Sequence, residues 1–82
     1  MNKNIIEVFN DKNKKEKIEI IKYIKLKSNK KRYIIYKKIN SEKIKIKIFS
    51  AEVIENKNEI FLKDIKEKEV LEKIQNIMEE LL

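Results

Sequence analysis

The segment Lys43-Ile44-Lys45-Ile46-Lys47-Ile48 alternates lysine and isoleucine without a break. Successive side chains of an extended strand point to opposite faces. Ile44, Ile46 and Ile48 therefore face one way and Lys43, Lys45 and Lys47 the other. Such a strand belongs to a sheet with one dry face and one wet face. Working outward, other β-branched, alternating segments predict strands near 5–9, 17–27, 32–39 and 59–63, with the opening segment extended to 43–54. The alternation changes phase at Phe49-Ser50-Ala51, which predicts a bulge or bend. It also changes in the second strand, where Ile18 and Ile20 keep one phase and Ile21 and Tyr23 the other.

The chain has no glycine and no proline. Turns must then come from the polar clusters Asn10–Lys15, Ser28–Lys31, Asn40–Glu42 and Glu55–Asn58. Asparagine enters positive φ more readily than most residues and is the natural substitute for glycine. The gaps are short, so consecutive strands pair antiparallel.

After residue 63 the period changes. Val70, Leu71, Ile74, Ile77, Met78, Leu81 and Leu82 recur at helical spacing, which predicts an amphipathic helix over 67–81. Asp64 is the candidate cap, with Glu67 as its capping-box partner. The helix must bury its stripe, Val70, Ile74, Ile77, Met78 and Leu81, on the dry face of the sheet. The expected fold is one α+β domain: a five-stranded antiparallel meander carrying a C-terminal helix. A strongly curled sheet closing towards a small barrel is the alternative.

The chemistry is bounded by what is missing. Among 82 residues there is no histidine and no cysteine, which removes the commonest general base, the usual zinc ligands and the thiol nucleophile. Without glycine there is no phosphate-cradling loop of the usual kinds. Ser28 and Ser41 fall in turns, and no serine sits beside an obvious base. The helix acids Glu67, Glu69, Glu72, Glu79 and Glu80 read as its solvated side or cap. The expectation is a non-enzyme with no metal and no cofactor. The lack of cysteine and of a long apolar run suits the reducing cytoplasm, away from membranes.

Charge is polarised. The net charge is +7, with 16 Lys/Arg against 5 Asp/Glu in residues 1–49 and 5 against 9 in the rest. Lys30-Lys31-Arg32-Tyr33-Ile34-Ile35-Tyr36-Lys37-Lys38 sets cations beside tyrosines, as nucleic-acid-binding sheets do. Lys30, Lys31, Arg32, Lys37, Lys38, Lys43, Lys45 and Lys47 are accordingly the candidate binding surface. Two readings stay open. Twenty of the 21 cations are lysines, which fits codon bias and solubility better than the bidentate fork of arginine. Tyr33 and Tyr36, three apart, point to opposite faces, so at least one is core with its hydroxyl reaching outward.

The order of features is familiar: Asn4-Ile5-Ile6-Glu7-Val8-Phe9, a polar turn, a strand, Lys31-Arg32-Tyr33-Ile34-Ile35-Tyr36, Ile48-Phe49-Ser50-Ala51-Glu52-Val53, then an acidic amphipathic helix. It resembles the YrzB-like family of small uncharacterised bacterial proteins. Members are typically acidic, with Gly and Pro in their turns, whereas this chain is basic and has neither. The resemblance brings no activity and no site residues. The expected function is binding or regulation through protein–protein contacts, with no small-molecule substrate. The alternative is a basic module docking on nucleic acid or a nucleoprotein, for example a mobile-element inhibitor such as an anti-CRISPR protein.

Overall fold

The computed structural model of the chain describes residues 4–39 and 47–81. Five strands, β1 (Ile5–Phe9), β2 (Lys15–Lys25), β3 (Arg32–Lys38), β4 (Phe49–Asn56) and β5 (Glu59–Lys63), precede one helix, α1 (Lys68–Leu81). The opening of the expected fourth strand, 43–46, lies outside the described residues. Lys47 and Ile48 run up to β4 without joining it.

Each strand pairs antiparallel with the next. Every hairpin reverses direction, so in a five-stranded meander the first and last strands run the same way. They meet at Phe9 opposite Phe61, in parallel, and close the sheet into a barrel. The purely antiparallel meander is therefore corrected to a mixed, closed sheet, while α+β with a single C-terminal helix stands. Closure removes two free strand edges, each a template for association. The Phe9 and Phe61 rings stack across the seam at 4.9 Å.

Closure also divides the core. Val8, Ile18, Ile34, Tyr36, Ala51 and Leu62 fill the barrel interior. Ile24, Tyr33, Ile35, Val70 and Ile74 form a second cluster between the outer surface and α1. Strand β3 serves both: Ile34 and Tyr36 point inward, Tyr33 and Ile35 outward under the helix. This is why Tyr33–Tyr36 is an unbroken apolar run, buried on both faces.

The phase changes mark transfers between the two cores. In β2 the ladder slips between Ile20 and Lys22, a one-residue bulge at Ile21. Before it, Ile18 and Ile20 face the interior; after it, Ile24 and Leu26 face the helix. Ile21 and Tyr23 are exposed. At Phe49 the ladder to β3 runs without a shift, so the expected bulge is absent there. Instead Ile48 packs on the helix side while Phe49 and Val53 pack with Ala51 on the barrel cluster.

Helix α1 begins at Lys68, and the Glu67 carbonyl accepts the first helical bond from the Leu71 amide at 3.0 Å. Glu67, not Asp64, is thus at the cap position. Val70 and Ile74 are buried, with Ile77 and Met78 beside them, but Leu81 is 42% exposed. The stripe that covers the barrel is shorter than its spacing predicted.

Candidate functional site

The turns place the first candidate cations. Asn29 organises the β2–β3 connection: its Oδ1 accepts from the Lys31 amide at 2.9 Å and its Nδ2 donates to the Tyr33 hydroxyl at 3.0 Å. Lys30 takes φ 61°, so it forms the turn itself. Lys31 Nζ lies 3.5 Å from a Glu67 carboxylate oxygen. Glu52 above all, and then Glu67, hold its pKa above the ordinary lysine value.

The remaining cations diverge along β3. Arg32 and Lys38 share the inward parity of Ile34 and Tyr36, six residues apart, and so emerge at opposite barrel ends about 20 Å from each other. Arg32 is bound to the Glu55 carboxylate. That bond first, and the Tyr23 hydroxyl second, raise its pKa still further. Lys37, on the outer face, reaches Glu19 at 3.5 Å. Lys38 Nζ sits 5.0 Å from the Phe49 ring centroid. Lys47 is exposed ahead of β4. Lys43 and Lys45 lie outside the described residues. The fold thus spreads the candidate cations over a turn, two barrel ends and the outer face, and gives three of them carboxylate partners. Neither Tyr33 nor Tyr36 is available as a stacking platform, since both are buried. The exposed tyrosine is Tyr23, beside Arg32.

A different place collects polar groups. At the end where Lys38 emerges, a cleft of about 350 Å³ opens into the barrel interior. Its floor is apolar: Ala51, Leu62, and the stacked Tyr36 and Phe49 rings, 5.7 Å apart. Three carboxylates line it, from Asp11, Glu16 and Asp64. Asp11 belongs to the β1–β2 turn, where the Asn10 side-chain oxygen accepts from the amides of Lys12 at 2.9 Å and Lys14 at 3.1 Å. Glu16 pairs across the ladder with Val8, so it occupies an interior position. Asp64 follows β5 directly. Burial, reinforced by Glu16, Asp64 and Asp11, pushes the Tyr36 hydroxyl up to about 12.

Sequence reasoning missed this cleft. The available signal was Glu16 itself, which keeps the phase of Ile18 and Ile20 and so carries a carboxylate on an interior row. Asp64 was read as a helix cap, and the barrel end it rims exists only once the sheet closes. Among the described residues, no group of three or more potential ligands is placed to hold a metal ion. No helix among them is long and apolar enough to cross a membrane.

Comparison with protein-family models, with curated proteins and with solved structures gave no match to this chain.

Proposed function

We propose that this chain is a small non-catalytic binding protein that acts through contact with another protein. The observation that carries this reading is the internal pairing of the basic segment. Lys31, Arg32 and Lys37 are engaged by Glu67, Glu55 and Glu19, and a phosphate would have to displace those carboxylates. The resemblance to the YrzB-like family is compatible with this reading and adds no activity to it. The absence of cysteine fits work in the reducing cytoplasm.

The rival reading, docking on nucleic acid, is favoured by the +11 balance of residues 1–49. The two part in salt. A selected nucleic-acid surface engaging about four phosphates on a single strand gives a log–log slope near −3. Under the proposed function, a fluorescent RNA or DNA oligonucleotide binds weakly and is released near about 150 mM salt. Complexes captured from the host survive nuclease. A saturable oligonucleotide complex at that salt, lost on changing Lys37 and Lys38 to Glu, would transfer the function to nucleic acid.

A further inference from the structure

The barrel end where Arg32 emerges is apolar, unlike the end at Lys38. Ile6, Ile20, Val53 and Ile60 pack on the buried interior from inward positions, yet stay half-exposed. Beyond them come Tyr23, opposite the inward Ile34, and the Arg32–Glu55 ion pair, the next inward residues on β2, β3 and β4. Tyr23 does not cover the aliphatic layer. It is 53% exposed, more than any other large hydrophobic residue described. Ile5 at the start of β1, Ile21 in the bulge and Ile54 beside Glu55 ring the same end. Four of the seven exposed large hydrophobics described therefore gather there, on a chain that is 43% charged. Single apolar residues on a surface need no partner, whereas a contiguous patch marks an interface.

Charge selects what covers it. The net charge of +7 makes two copies repel at a distance, so self-association is confined to a surface whose charge is locally balanced. Arg32 and Glu55 supply one charge of each sign at neighbouring places on this rim. Lys25, opposite Arg32 in the ladder, is exposed beyond it. A rim carrying both signs is complementary to itself. A two-fold axis passing between Arg32 and Glu55 sets each against its opposite on the second copy, as an isologous interface requires. Tyrosine and arginine are also the residue types enriched at the centres of such interfaces.

We propose that two copies of this chain associate end to end through this mouth, Tyr23 of each lying on the other's aliphatic layer and Arg32 of each beside the other's Glu55. The proposal deepens the protein-contact reading above by naming a second copy as the partner.

The test is sedimentation equilibrium of the full chain up to millimolar concentration, with NMR spectra of each variant checking its fold. Wild type should pass from monomer to dimer and no further. Tyr23→Ser should weaken the dimer at least about tenfold. Arg32→Glu and Glu55→Arg should each weaken it about tenfold, because each sets like charges against one another across the axis. An equal mixture of those two variants should dimerise again, within about threefold of wild type, since every facing pair is then of opposite sign. Tyr23→Ser changes an exposed side chain, and so decides the matter if a charge reversal unfolds the chain. A wild type monomeric at every concentration would overturn the proposal. So would a dimer that Tyr23→Ser leaves intact, or a mixture that stays monomeric. A foreign protein captured from the host while wild type remains monomeric overturns the dimer and leaves the protein-contact reading standing. An oligonucleotide complex formed by an intact dimer removes that reading and leaves the interface standing.

Discussion

Lys57 and Asn58 form a two-residue hairpin loop between Asn56 and Glu59, with φ of 50° and 70°. Positive φ at both centres is the turn type whose twist matches that of its strands, and Asn-Gly is its preferred pair. Lysine at the first position carries a steric cost that the composition imposes by excluding glycine. Changing Lys57→Asn together with Asn58→Gly should raise stability by about 1 kcal/mol, read as a higher urea midpoint at unchanged slope. An unchanged midpoint would mean the loop is unstrained. Tyr36 gives a second test at this scale. Its folded pKa, about 12, lies above the ordinary tyrosine value of 10. The unfolded chain therefore ionises first, and stability is full below pH 10 and lost as pH rises towards 12. The difference between wild type and Tyr36→Phe should shrink over that window by about 2 kcal/mol. Lysine titration is common to both proteins and cancels. A constant difference from pH 9 to 12 would show that Tyr36 ionises freely.

The bulge in β2 decides which face each half of that strand presents. A one-residue change of register moves every following side chain to the opposite face. Deleting Ile21, the unpaired residue, should leave Lys22 opposite Ile35 and Ile24 beneath α1, whereas inserting one alanine between Lys22 and Tyr23 should turn Ile24 away from α1 and cost at least about 2 kcal/mol. An insertion that retains the wild-type urea midpoint would show that the register of this half of β2 is incidental. The helix offers a graded comparison. Ile74, fully buried against Tyr33 and Ile35, should cost about 2–5 kcal/mol as alanine. Leu81→Ala should cost under about 1 kcal/mol, being largely in water. Equal losses would mean that α1 lies along its whole length, contrary to the described packing.

Closure is a property of the whole molecule and rests on one residue pair. β1 and β5 are matched only at Phe9 and Phe61, whose stacked rings should couple by about 1 kcal/mol in a double-mutant cycle. Replacing both with serine should open the seam, speed amide exchange in β1 and β5, and expose two strand edges. Association beyond that of wild type, growing with protein concentration, then follows. A double variant that associates no further than wild type, with unchanged exchange, would show that other contacts hold the barrel shut. Much of this architecture was legible beforehand: the five strands, the helix, and the slip in β2 follow from periodicities a few residues long. The closed sheet was legible only as the alternative to an open meander, and the cleft at its mouth was not legible, because both depend on residues far apart in the chain. Asp11, Glu16 and Asp64 gather only when β5 returns beside β1.

The order and type of the elements were determined by the sequence, since alternation, helical spacing and polar turn clusters act through neighbouring residues. The turns were determined in kind as well, with Asn13 and Asn58 at positive φ, although Lys30 and Lys57 share that role. What only the tertiary structure decided is where each apolar face goes. Tyr33-Ile34-Ile35-Tyr36 is apolar on both sides, and a pattern of hydrophobicity says that a side is dry without saying what dries it. The barrel interior took Ile34 and Tyr36, and the helix took Tyr33 and Ile35. That division comes from closure, a long-range contact whose entropic cost and reward do not register in any local stretch of sequence.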